Sequence, residues 1–284
     1  MTDSGVPDTL AAELMAELVI DRSIKEEGVL APIVDQFSEA LQREYATSFD
    51  TADRLNKLVL AAWALAPNEG DAASLRPVAN RLMFRAIHAF GGVVVLARRG
   101  LETEAQTLAR GIYECAFWMG CFHIWGDIAL EAFRRDNAVS YASFEKSKLA
   151  VVPNPEEEVR LTAELKALRK IGVPSPAELA KGAAMLHSYV HYKYLCGMAA
   201  HSSLSSIGKY LTFDEHGRPG HEFNFEGKAI PLTLGHACFA LLEAFSRFTF
   251  ISQAPGDIDA MREIAVELNT LFGLDGDEAE PENS

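Results

Sequence analysis

AQTLARGIYECAFWMGCFHIW, residues 105–125, carries only two formal charges, Arg110 and Glu114, and is apolar on nearly every other side. A helix with no continuous polar face belongs inside a protein rather than on its surface, so this segment is expected to run through the centre of a helical bundle, with the similarly apolar 183–211 segment as its neighbour there. Its two charges are four residues apart and therefore share one face.

Helical periodicity extends in both directions from it. Between Val29 and Ala66, the residues Leu41, Tyr45, Ala52, Leu55, Val59 and Ala62 recur at helical spacing, with Arg43, Glu44, Asp53, Arg54 and Lys57 between them. Pro67-Asn68-Glu69-Gly70 ends that helix. Further helices are expected over 74–99, 102–125, 127–150, 231–252 and 257–272. Asn154-Pro155, followed by Glu156, Glu157 and Glu158, opens another with a cap, a first-turn proline and acids on the positive end of the dipole. Ser175-Pro176 repeats the device and opens a long helix, with a break near Gly197, that reaches Leu211. Residues 8–22 form a short amphipathic helix with Leu10, Leu14 and Leu18 on one stripe. Only 212–230 has turn chemistry and alternation, and it is expected to be a hairpin or ordered loop.

These readings give an all-α fold, a single up-and-down helical bundle with one insertion near 212–230. The N-terminal helical segment covers 1–28, the bundle 29–272, and an acidic, disordered tail 273–284.

Composition narrows the function. The chain has 284 residues, 49% hydrophobic and 23% charged, with a net charge of -14. Such a charge opposes general nucleic-acid binding while leaving room for a local basic site. Cys115, Cys121, Cys196 and Cys238 lie in apolar runs without CxxC pairing, as expected of free thiols in a reducing compartment. No basic-then-apolar leader opens the sequence, and the longest apolar runs, 89–97 and 115–122, fall well short of the ~20 residues of a membrane span. A cytoplasmic protein without membrane contact is expected.

Three polar features depart from plain core. Arg110 and Glu114 are the first: an anion clamp beside a general base, or a structural ion pair that fixes helix register. The second is the stripe His187, His191, Tyr194, Met198, His201, Ser205. Within it His187 and His191 have two-histidine metal spacing, and with Glu114 they form an alternative site for a divalent metal. His201 lies ten residues beyond His191, about 15 Å along a continuous helix, too far to share that ion. His201-Ser202-Ser203 is a small polar group in a tightly packed segment. The third is the arginine stripe Arg81, Arg85, His88: from Arg76 to Arg110 there are six arginines and two acids, a local reversal that suggests an anion site.

The order Arg110-x-x-x-Glu114, then Tyr194 to His201-Ser202 on a later helix, resembles a bacterial family of domains of unknown function. The resemblance spans roughly 80–250 and implies an all-helical fold with a shared polar site, but no particular reaction. RLMFRAIH, Arg81 to His88, more weakly resembles the Arg-then-His spacing of helical ribonuclease domains in toxin–antitoxin and phage-defence systems, although Leu82 stands where a polar residue is usual there. P-loop, dinucleotide-binding, nucleophile-elbow and di-iron signatures do not occur.

The expectation is a central anion-accepting site, with Arg110, Glu114 and His201 catalytic and Arg81, Arg85, His88, Tyr194 and Ser202 binding the ligand. It would serve a metal-independent nuclease or hydrolase in defence or stress, acting on an anionic small molecule or RNA without a cofactor. The rivals are a non-catalytic interaction protein, such as a homodimer, and the His/Glu metal site.

Overall fold

A computed structural model describes residues 26–200, 204–213, 216–221 and 227–272. After a 3-10 turn at Gly28–Leu30 come α1 (Ile33–Glu44), α2 (Ala46–Ala64), α3 (Leu75–Arg98), α4 (Glu102–Trp125), α5 (Asp127–Lys148) and α6 (Pro155–Ile171). Then follow α7 (Pro176–Gly182), α8 (Leu186–Leu195), a π-helix (Cys196–Ala200) and α9 (Leu204–Ile207). A hairpin of β1 (Leu211–Phe213) and β2 (Pro219–His221) precedes α10 (Ile230–Ser252) and α11 (Ile258–Phe272). The fold is all-α. Its hairpin pairs Leu211 with His221 and Phe213 with Pro219, antiparallel, and starts one residue earlier than expected. The expected helix at 8–22 and the tail at 273–284 lie outside the described residues.

The helix starts follow their local chemistry. Asn154 accepts a hydrogen bond from the Glu157 N–H at 3.2 Å. Ser175 and Glu178 form a reciprocal capping box. The 29–66 helix, expected to be continuous, is broken, and the one from Ser175 has a break besides the one expected near Gly197. The 29–66 segment bends at Tyr45, where φ is -106° and ψ 32°. Backbone bonds continue on both sides, from the Tyr45 N–H to Leu41 O and from the Phe49 N–H to Tyr45 O, so no proline or glycine is needed to mark the bend.

The segment from Ser175 breaks twice. At Ala184 the backbone turns left-handed, with φ 56°, and the Met185 N–H closes onto Ala180 O at 2.8 Å. This corner sits on α4 at Gly120, where an added Cβ would lie 2.6 Å from that of Ala183. Close approach to α4 therefore stops α7 after two turns. The second break, at Gly197, is the π-helix.

The centre of the protein is α4 packed between α3 and α10. Phe90, Ile112, Phe117, Phe245 and Phe248 have no exposed surface. The described residues 183–200 neighbour α4 as expected but cover it from one side rather than sharing the centre, with Ser188, Tyr192 and Leu195 facing inward and Leu186, Val190 and Lys193 outward. By length and composition α10 alone among the described helices could cross a membrane, yet it is the core partner of α4 and α3, with thirteen residues buried. α5 and α6 form a helical hairpin with its own small core of Ala142, Leu161 and Leu165. α11 is tied to α2 where Glu267 accepts from Thr51 and Arg54.

Candidate functional site

Arg110 and Glu114 stand on the face of α4 that α8 approaches. The Arg110 Nη2 donates to Glu114 Oε1 at 2.6 Å, and the Tyr192 hydroxyl of α8 donates to the same oxygen at 3.2 Å. Arg110 also reaches the Tyr192 hydroxyl at 3.4 Å, and its guanidinium lies 5.4 Å from the centre of the Tyr192 ring. The junction is not sealed: the side chains of Arg110 and Glu114 are 29% and 36% exposed. Beside them, a Cβ at Gly111 would meet nothing within 4 Å.

Burial works to lower the Arg110 pKa, but the Tyr192 hydroxyl and the Glu114 carboxylate outweigh it, so the guanidinium stays firmly charged. Burial, opposed by Arg110, pushes Tyr192 up to about 12, which keeps it a neutral donor. Burial, then the field of Glu114, raises the Asp136 carboxyl on α5. The Arg110 Nε is buried and has no hydrogen-bond partner among the described residues.

The chain turns π immediately after α8, beginning at Cys196, one turn beyond Tyr192. A π segment costs regular bonding and recurs at functional sites. His201 and Ser202 follow it directly and lie outside the described residues.

Tyr194 does not join this network, and Tyr192 does. The stripe His187, His191, Tyr194 is real but faces α10. There His191 and Tyr194 lie 5.0 and 5.5 Å from the ring of His236, and His187 Nε2 is 3.5 Å from Glu243 Oε1. The alternative metal set is thus divided, its histidines turned to α10 and Glu114 to Arg110 and Tyr192. Among the described residues no group of three His, Cys, Asp or Glu could hold a metal. Burial, then neighbouring His191, lowers His236 to about 4. Burial, then His187, lowers His191. Tyr113, stacked 6.4 Å from His191, has a buried hydroxyl with no partner among the described residues.

Sequence reasoning missed Tyr192, His236 and Glu243. Tyr192 was findable: Ser188, Tyr192, Leu195 and Cys196 form the inward stripe of the same helix. His236 and Glu243 are seven residues apart in an apolar helix and so share one face of α10, a spacing that sequence reasoning passed over.

The arginine stripe divides too. Arg81 and Arg85 line a cleft between α3 and α5. His88 instead lies against Phe84, ring centres 4.2 Å apart, and Phe84 stacks on Trp63 of α2. The four cysteines are free and buried, as expected. Burial pushes Cys115 and Cys121 up to about 11, which makes them poor nucleophiles.

A family model described as a family of unknown function (DUF5677) matches residues 77–218, half of the chain. The match runs from α3 through the hairpin turn and takes in Arg81, Arg110, Glu114, Tyr192 and His201. No curated protein and no solved structure matches the chain.

Proposed function

We propose that this chain, which belongs to the DUF5677 family of unknown function, binds an anionic substrate at the junction of α4, α8 and the π-helix and hydrolyses it. The observation that carries the reading is the Arg110–Glu114–Tyr192 network. Three polar groups from two helices converge within 2.6–3.4 Å, at a rim that still reaches water and beside a π segment. Arg110 offers a permanently charged donor fork to a phosphate or carboxylate. Glu114 is the acceptor for the proton of an attacking water or hydroxyl, and Tyr192 holds that carboxylate in place. His201 is assigned the proton for the leaving oxygen. No metal takes part in this step, and RNA is the substrate class assigned first.

A second reading is favoured by one observation: Glu114 already accepts from both Arg110 and Tyr192, the arrangement of a structural clip between α4 and α8. The experiment that separates the two uses the full chain with a short fluorescent RNA, in parallel with urea unfolding, for wild type, Glu114→Gln and His201→Ala. The catalytic reading expects folded variants that no longer cut RNA. Absence of cleavage by the wild type, or cleavage untouched in folded variants, would leave the clip.

A further inference from the structure

The cleft between α3 and α5 plays no part in the network just described, and it is built differently. It encloses about 420 Å³ and is lined by Arg81 and Arg85 of α3 and by Arg134 and Asn137 of α5, over an apolar floor that includes Leu82 and Phe133. Two of the guanidiniums are fixed from outside. Arg81 donates to Ala72 O at 2.5 Å and Arg134 to Ala73 O at 2.6 Å, so consecutive carbonyls of the turn before α3 hold arginines from two different helices. Each contact uses one donor of five; Arg81 keeps the rest of its fork available, and Arg134 gives a second donor to Glu131.

Arg85 completes the set, and it makes no hydrogen bond or ion pair among the described residues. Its charge is felt by the Cys115 thiol beneath, whose rise it opposes. Glu131, one turn before Arg134, lies 3.5 Å from that guanidinium on the exposed side and offsets part of its charge. No carboxylate lines the cleft itself. In a protein of net charge -14, three cations around one apolar floor are not explained by the surface average.

The chemistry of the lining selects the ligand. Guanidinium forks match the oxygens of a phosphate, and a dianion gains more from three of them than a carboxylate does. The Phe133 ring on the floor suits a flat apolar body, and Asn137 offers one donor and one acceptor to its edge. The volume is within the range of small-molecule sites, which begins at roughly 300 Å³. We infer that this cleft binds an aromatic phosphate monoester of nucleoside-monophosphate size. Its phosphate sits on Arg85 and Arg81, its ring against Phe133, and its polar edge at Asn137. The inference stands apart from the hydrolytic reading and survives if that reading fails.

Isothermal titration of the full chain with AMP, CMP, adenosine, ribose 5-phosphate and inorganic phosphate tests it, for wild type, Arg85→Gln, Arg85→Lys and the charge-matched control Arg160→Gln on exposed α6. Saturable binding of a nucleoside monophosphate is expected, with adenosine and phosphate alone weaker by roughly tenfold or more. Arg85→Gln should weaken it by a similar factor, Arg85→Lys by less, and Arg160→Gln not at all. Because Arg85 is exposed and supports no neighbour, its variants should melt as the wild type does. Inorganic phosphate binding as tightly as AMP, equal loss in Arg160→Gln, unchanged affinity in Arg85→Gln, or no saturable binding at all would each overturn the proposal.

Discussion

Acid should loosen this protein through His236. The imidazole is 7% exposed on α10, against His191 at 5.0 Å and Tyr194 at 5.5 Å. Burial and the neighbouring imidazole hold its pKa near 4, against 6.5 for a free histidine. The unfolded chain therefore binds this proton more readily than the folded one. The associated stability is complete above pH 6.5 and is lost as the pH falls from there towards 4. At about 1.4 kcal/mol per pH unit, the gap amounts to about 3 kcal/mol across that window. His191, lowered for the same reasons, acts in the same direction. Urea unfolding at pH 7.5, 6.5, 5.5 and 4.5 measures the effect, with His236→Asn as the control that removes the titrating group. A wild-type stability that is flat from pH 7.5 to 5, or a slope unchanged in His236→Asn, would refute the reasoning.

Three substitutions probe the packing around the site. Gly120→Ala places a Cβ against Ala183 and should cost about 2 kcal/mol by forcing α7 off α4; no loss in a urea melt would contradict that close approach. Tyr113→Phe removes a buried hydroxyl without a partner, so stability should stay within about 1 kcal/mol of wild type or rise, and a larger loss would show the hydroxyl to be satisfied. Glu114→Gln breaks a pair that is about one third exposed, for which about 1 kcal/mol is expected rather than the several lost when a fully buried pair is broken; a loss above about 3 kcal/mol would mark the pair as structural.

The fold was largely legible because burial leaves its period in the sequence. The nearly all-apolar 105–125 segment is the central helix α4, and the caps at Asn154 and Ser175 start α6 and α7. What escaped were events decided by contact between helices. The bend at Tyr45 carries no breaker residue. The corner at Ala184 depends on a glycine at position 120, in a different helix. The long apolar α10 turned out to share the centre, a place that sequence reasoning gave to residues 183–211.

The site shows the same division. Spacing placed Arg110 and Glu114 on one face, and they are hydrogen-bonded. The stripe on α8 was read with the right period but assigned to the wrong neighbour. Its histidines meet α10, while Tyr192, part of the inward stripe, meets the charge pair. Arg81 and His88, joined by spacing, lead to different surroundings because the face of α3 is shared between α2 and α5.

The central claim, that Arg110 holds an anion rather than only a neighbouring carboxylate, is most directly tested by following arginine Nε–H resonances of the isotope-labelled full chain by NMR while a short single-stranded RNA is added. The Arg110 Nε, buried and without a partner among the described residues, should shift saturably, while Arg160 on α6, whose Nε donates to Glu157 at 2.9 Å, stays where it is. An Arg110 resonance that does not move at saturating RNA, or one that moves no more than that of Arg160, would contradict the account.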